Sequence, residues 1–174
     1  AALLWVYLLK FFIWEEGYMK SMDIQVDRAG YYICWGCLVW VPAIYTSPML
    51  FMVLHPVGLS FTVAALIFVA GIISIWLNYW ADYQRQNVRS TAGNTTIWGN
   101  KPKLILAEYA TETGEKKTNL LLASGFWGIS RHFHYVPELL AAFFWSCATG
   151  FSFFAPYFYL IFLTVLLTHR AFRD

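Results

Sequence analysis

The sequence predicts an all-α fold, a polytopic bundle of transmembrane helices with a small cytoplasmic β-hairpin. Of the 174 residues, 59% are hydrophobic and 20% aromatic, while only 13% are charged. Soluble domains carry about a quarter charged residues. The charges are also nearly absent from several long apolar runs, which a bilayer would cover. Because the chain starts and stops beside such runs, we expect a fragment of a larger bundle.

Four apolar runs define the expected membrane spans, at about 1–14, 30–54, 58–80 and 135–168. A crossing needs roughly 20 apolar residues, so the first run is short. Pro56 ends the second run, since proline removes a backbone donor. The last run is too long for one simple crossing, and Gly150 and Pro156 are expected to divide it into two packed helical pieces. All four runs belong to a single membrane domain, 1–174.

The polar stretch 81–119 is expected to be a loop on the cytoplasmic side, because lysine and arginine are in excess there. Its first part, up to Val88, should continue the preceding helix beyond the membrane. Two β-prone segments, 104–110 and 118–123, flank a polar segment that contains Gly114. This pattern predicts a β-hairpin outside the bilayer.

Several classes of site are not supported by the residues. The net charge of +2 gives no indication of nucleic-acid binding. Cys34 and Cys37 form a CxxC inside an uncharged run, and His132 and His134 lack a nearby third ligand, so no metal is expected. The absence of a GxGxxG pattern argues against a Rossmann fold.

Two basic or aromatic clusters are candidates for ligand binding. Arg85 and Arg89 lie four residues apart on a predicted helix, so both guanidinium groups leave one face and suit phosphate. The alternative is a pair that sets topology or binds lipid headgroups. A second cluster surrounds Trp127, His134 and Tyr135 and could stack on a flat ring. Its alternative is an aromatic interface belt with basic anchors.

Acidic residues beside apolar runs are candidates for proton chemistry. Tyr7 and Glu15 would share one helical face. Asp23 and Asp27 are weaker candidates and suit a hydrated loop. Glu138 is the only charge in the last apolar run, although it could simply occupy the first turn of a helix.

Three segments resemble the sterol reductases of the endoplasmic reticulum. They are YMKSMDIQVDRAGYYICWGCLVWVPAIYTSP at 18–48, LLLASGFWGISRHFHYVPELL at 120–140, and LLTHRAFRD at 166–174. The HFHYVPE form is similar to the delta-7 branch of the family. The delta-14 branch and the lamin B receptor are close relatives.

This resemblance implies a multi-pass protein of the endoplasmic reticulum membrane that uses NADPH to reduce the 7,8 double bond of a 5,7-diene sterol. The implied partners are the sterol, the bilayer and other enzymes of sterol biosynthesis, not nucleic acid. Residues matching the family's NADPH contacts are Arg85, Arg89, Leu122, Trp127, His134, Tyr135 and Asp174. Residues in the same motifs expected to support them are Arg131, Arg170 and Arg173.

The resemblance also assigns candidate catalytic residues. Tyr7 matches a tyrosine that lines the sterol pocket in relatives, which makes it the expected proton donor or relay, with Glu15 tuning it. The fragment alone is expected to be inactive. Alternatives are a delta-14 sterol reductase, a non-enzymatic sterol-binding protein of the same fold, a transporter or channel, and an isoprenylcysteine methyltransferase of similar plan.

Overall fold

The computed structural model describes residues 1–19, 30–110, 114 and 116–173, and its regular structure is mostly helical. The helices are α1 (Ala2–Ile13), α2 (Glu15–Met19), α3 (Tyr31–Trp35), a π-helix (Gly36–Tyr45), α4 (Ser47–Leu54), α5 (Phe61–Ser90), α6 (Phe126–Ile129), α7 (Tyr135–Cys147), a 3₁₀ turn (Ala155–Tyr157) and α8 (Phe158–Arg173). The strands are β1 (Leu104–Ala110) and β2 (Lys116–Leu122). The predicted helical class with one small hairpin is confirmed.

Among the described residues, three helical segments are long and apolar enough to cross a membrane: Gly36–Leu54, Phe61–Ser90 and Ala155–Phe172. Helix α1 is apolar but shorter. Large apolar side chains point outward, with Phe61 89% and Leu38 77% exposed. An apolar surface of this extent suits lipid rather than water, so the chain is a membrane protein.

The second predicted span is less regular than its composition suggests. Its centre is a π-helix that contains Pro42. Proline cannot donate to the preceding turn, and its ring crowds the carbonyl four residues earlier, so the helix widens there. The hydroxyl of Thr46 donates to the Pro42 carbonyl oxygen at 2.6 Å, and that of Ser47 donates to the Ile44 carbonyl oxygen at 2.7 Å.

Helix α5 is the longest element, with 30 residues. The side chain of Ser60 caps its N-terminus by accepting from the Val63 amide at 3.4 Å. A side chain at Gly71 would collide with Leu3 of α1, so this glycine permits close packing of the two helices. Because 30 residues exceed the length of a crossing, the polar end of α5 extends past the apolar layer.

The last apolar run is divided at Gly150 and Pro156, as the sequence predicted. Helix α7 ends at Cys147, Gly150 adopts a φ of 71°, and Pro156 lies in the 3₁₀ turn that precedes α8. Positive φ suits glycine, and proline suits the start of a helix. The buried core lies where α1, α5, α7 and α8 meet, and includes Leu4, Ile75, Ala142, Trp145 and Leu163.

The hairpin pairs β1 and β2 in an antiparallel ladder from Leu104↔Leu122 to Ala110↔Lys116. Beyond it, the Ala123 amide donates to the Lys103 carbonyl oxygen at 2.8 Å. The second strand begins two residues earlier than its sequence predicted. Its end at Leu122 leads directly into the segment that carries Trp127.

Candidate functional site

A cavity of about 250 Å³ lies at the polar end of α5 and contains both predicted arginines. Its walls come from α5 and from the junction of α1 and α2; the lining residues are Trp14, Gly17, Asp82, Arg85, Gln86, Arg89 and Ser90. Two guanidinium groups therefore share one cavity with the carboxylate of Asp82. Such a cavity is suited to an anionic ligand.

Arg85 is held from two sides. Its Nη2 atom donates to Asp82 Oδ1 at 3.2 Å, and its Cζ atom lies 4.7 Å from the centre of the Trp127 ring. Asp82 is buried, whereas the Arg85 side chain keeps 27% exposure. Contacts with a carboxylate and an aromatic face fix the guanidinium while leaving part of it accessible. Arg89 is exposed one turn later and adds a second positive charge.

Trp127 is positioned by the turn into α6. Its Nε1 atom donates to the Ala81 carbonyl oxygen at 2.7 Å. One residue earlier, the Phe126 amide donates to Oε1 of the buried Gln84 at 3.3 Å. These two bonds tie α6 to α5, so Trp127 and Arg85 are presented together.

The turn before α6 requires glycine. Gly125 has a φ of 64°, and a Cβ atom there would lie 2.5 Å from Gln84 Oε1 and 2.6 Å from Ile97 Cγ2. We expect Gly125→Ala to reduce the free energy of unfolding by about 1 to 3 kcal/mol through strain and overlap. Gly99→Ala is the matched control, since Gly99 has a φ of 79° with open space around it. Thermal unfolding in detergent should show the larger loss for Gly125→Ala; equal losses would contradict the packing contribution.

The aromatic residues continue from Trp127 to the start of α7. The rings of Trp127 and His134 are 4.9 Å apart, and those of His134 and Tyr135 are 4.5 Å apart. His132 stacks on Tyr135 at 4.8 Å. The structure thus brings Arg85, Trp127, His134 and Tyr135 into one continuous set of contacts.

His134 is electrically neutral under ordinary conditions. Burial lowers its pKa to about 3, and the positive charge of Arg85 acts in the same direction. Its buried Nδ1 atom has no hydrogen-bond partner within the described part of the chain. A neutral ring with one unused polar atom can hydrogen-bond a ligand, because an unpaired buried group is costly.

We therefore predict that His134 does not titrate between pH 6 and 8. In assays of the full-length protein, His134→Asn should give a pH profile of kcat/KM parallel to that of the wild type. Stability should respond instead: unfolded histidine binds a proton below about pH 6.5. The folded residue does so only near pH 3. Lowering the pH from about 6.5 toward 3 should therefore destabilise the wild type more than His134→Asn. Profiles of kcat/KM that differ between the two proteins near pH 6.5 would contradict a neutral His134.

The other described residues that were predicted to bind or support a cofactor lie at the end of β2, after α6 and in α8. Leu122 is partly buried at the end of β2. Arg131 Nη2 donates to the Ala171 carbonyl oxygen at 2.5 Å, which ties the Trp127 segment to the end of α8. Arg170 and Arg173 belong to the last turn of α8. Asp174 lies outside the described residues, as do the weaker candidates Asp23 and Asp27.

Tyr7 is paired with a different carboxylate from the one expected. Its hydroxyl donates to Glu138 Oε1 at 2.5 Å, across 131 positions of sequence. Glu15 is exposed, because α1 ends at Ile13 and Glu15 begins the separate helix α2. The expected Tyr7–Glu15 face is therefore corrected to a Tyr7–Glu138 pair.

Packed aromatic rings surround this pair. The Tyr7 ring lies 5.9 Å from Tyr45 and 5.3 Å from Trp145, and Tyr45 lies 4.5 Å from Tyr159. Tyr45, Trp145 and Tyr159 are buried. A proton donor and a carboxylate thus face a largely apolar environment, which favours proton transfer to a hydrophobic substrate.

Two contributors to the site were missed by sequence reasoning. Asn78 and Asp82 are buried one turn apart on α5, and Lys10 bonds to the side-chain oxygen of Asn78. Polar residues four apart at the edge of an apolar run would have been the signal. Lys10, the charge within the first apolar run, was not assigned a role from the sequence.

The fold and the site define a membrane protein with a cationic cavity and a tyrosine–glutamate pair buried among aromatic rings, and the comparisons identify its class. The chain belongs to the ergosterol biosynthesis ERG4/ERG24 family of sterol reductases, which it matches over residues 1–174. The resemblance found in the sequence is confirmed.

Particular relatives are close. A 7-dehydrocholesterol reductase of Arabidopsis thaliana is 58% identical over 172 residues, 99% of this chain and 40% of that protein. One from Xenopus laevis is 40% identical, covering 97% of this chain and 36% of its own length. A delta(14)-sterol reductase of Methylotuvimicrobium alcaliphilum is 33% identical, covering 97% and 37%. The chain therefore spans about two fifths of the length of these curated relatives.

Proposed function

We propose that the full-length protein is an NADPH-dependent sterol delta-7 reductase. It would saturate the 7,8 double bond of a 5,7-diene sterol such as 7-dehydrocholesterol, as a multi-pass protein of the endoplasmic reticulum membrane. The observation that carries the proposal is the cavity that Arg85 and Arg89 share, with Trp127 packed against Arg85. The relatives from Arabidopsis thaliana and Xenopus laevis are named 7-dehydrocholesterol reductases, which supports the same reaction.

The residues present suit a phosphorylated dinucleotide. Arg85 and Arg89 offer two fixed-charge groups for phosphate, and Asp82 keeps Arg85 oriented. Beyond them, the unused Nδ1 atom of His134 and the Trp127 face offer a hydrogen bond and a stacking surface. When bound, the reduced nicotinamide would supply a hydride.

The Tyr7–Glu138 pair suits the other half of the reaction. A ring alkene has no polar handle, so one carbon must gain a proton before its neighbour can accept a hydride. In this proposal the Tyr7 hydroxyl, held by its hydrogen bond to the Glu138 carboxylate, gives its proton to the sterol. The tyrosine oxygen then regains a proton from water, which Glu138 relays. The surrounding rings exclude bulk water from the cationic sterol.

Sterol profiling tests the reaction. Cells that lack the full-length protein should accumulate 5,7-diene sterols, and membranes containing it should convert them to the 7,8-saturated product with NADPH. Accumulation of 8,14-dienes would instead favour the delta-14 reaction, the second candidate, which the Methylotuvimicrobium relative supports. Binding of sterol without turnover would refute the enzymatic proposal.

A further inference from the structure

Lys10 is linked to the Tyr7–Glu138 pair through a closed set of contacts that includes Asn78 and His134. Its ammonium donates to Asn78 Oδ1, and Asn78 Nδ2 donates to the His134 carbonyl oxygen at 3.1 Å. The same carbonyl accepts the Glu138 amide at 3.3 Å. The Glu138 carboxylate in turn accepts a hydrogen bond from the Tyr7 hydroxyl. Lys10 closes the set, because its Nζ atom lies 5.5 Å from the centre of the Tyr7 ring.

This lysine is in an unusual position. It is the only charged residue of α1, a helix that is otherwise apolar throughout. An ionised side chain beside lipid is costly unless it is paired. Here Asn78 supplies a buried oxygen, while the Tyr7 and Trp14 rings both lie within cation–π range, at 5.5 and 5.7 Å.

The contacts give Lys10 control over geometry on two sides. Toward α1, its charge over the Tyr7 ring restrains the ring one turn away. Toward α7, the Lys10–Asn78–His134 chain fixes the carbonyl that anchors the first turn of that helix, and hence Glu138. A single side chain therefore orients both members of the proton pair, and it is linked to the His134 backbone through Asn78.

We propose that Lys10 is a positioning residue for proton transfer, holding Tyr7 and Glu138 in line and linking them, through Asn78, to His134, whose ring contacts Trp127. The inference rests on the proposed function. Lys10 does not touch the reacting atoms; it acts through Tyr7 and Glu138. Removing its charge should therefore slow the chemical step without weakening the cofactor site.

Variants of the full-length protein in membranes test this. Lys10→Gln and Lys10→Met should each lower kcat by roughly 10- to 100-fold, with the KM for NADPH within about twofold of the wild type. Lys10→Arg, which keeps the cation, should retain most of kcat. Lys103→Met is the matched control, because Lys103 is an exposed lysine in the polar loop. Size-exclusion profiles in detergent identify any variant that fails to fold, and Lys10→Gln guards against that for Lys10→Met.

A double variant separates positioning from general support. Adding Lys10→Gln to Tyr7→Phe should cost little further activity, since both act on one proton transfer. If folded Lys10→Gln keeps kcat within about twofold, or if its loss multiplies that of Tyr7→Phe, the inference is overturned. Failure of the wild type to reduce any sterol would refute the proposed function instead, so the two failures are distinguishable.

Discussion

Arg85→Met should weaken NADPH binding by about 2 to 3 kcal/mol, roughly 30- to 150-fold in affinity. The reason is geometric as well as electrostatic. Asp82 and Trp127 hold the Arg85 guanidinium in a fixed orientation at the cavity. Methionine keeps part of the stem but removes every donor. Titration of NADPH into the detergent-solubilised full-length protein measures the change.

The comparison variants of Arg85 make this prediction specific. Arg85→Lys keeps the charge but loses the planar fork, so its affinity should fall between those of Arg85→Met and the wild type. The variant Arg85→Met also leaves Asp82 buried without its cation, and adding Asp82→Asn removes that penalty. Lys101→Met, a change of equal charge at an exposed position, should leave NADPH affinity within about twofold of the wild type. Equal weakening by Lys101→Met would show a general charge effect and contradict a site at Arg85.

Tyr7→Phe should reduce sterol turnover by about 100- to 10,000-fold, the range for loss of a positioned general acid. The change deletes the one atom that bonds to Glu138 while keeping the ring that packs against Tyr45 and Trp145. NADPH affinity should remain within about twofold, because Tyr7 does not line the arginine cavity. Single-turnover product formation from a 5,7-diene sterol isolates the chemical step.

Tyr159→Phe is the control for loss of a hydroxyl among the same packed aromatic rings. Its ring lies 4.5 Å from that of Tyr45 and is buried like its neighbours. We expect this variant to lose less than about tenfold, since its oxygen belongs to the second ring away from the Tyr7–Glu138 bond. A Tyr7→Phe protein with unimpaired turnover would exclude Tyr7 as proton donor.

Local pattern was sufficient to predict most of the fold. The predicted apolar run 58–80 and its polar continuation to Val88 correspond to α5, which extends from Phe61 to Ser90. The hairpin followed from two β-prone segments around Gly114. The widened turn at Pro42 was not predicted, because a proline in an apolar run can equally end the helix, kink it or widen it.

The candidate site also has a part that local pattern predicts and a part that it does not. Arg85 and Arg89 could be placed on one face because the helical period alone determines it. The Tyr7–Glu138 pair spans 131 positions and the Lys10–Asn78 pair 68. Contacts at such separations depend on which helices pack together, and a single sequence carries no periodic signal for that choice. Glu15 was chosen as the partner of Tyr7 because a continuous helix would place both on one face, but α1 ends at Ile13.

Helix α5 runs without interruption from the lipid-facing Phe61 to Ser90. Asn78 and Arg85 are seven residues apart on it, about 10 Å at 1.5 Å of rise per residue. This continuous helix therefore holds both Asn78, which contacts Lys10, and Arg85, which contacts Trp127. A tilt of α5 at its polar end would therefore also move Asn78. Ligand binding at Arg85 and the alignment of Tyr7 with Glu138 are linked through this helix.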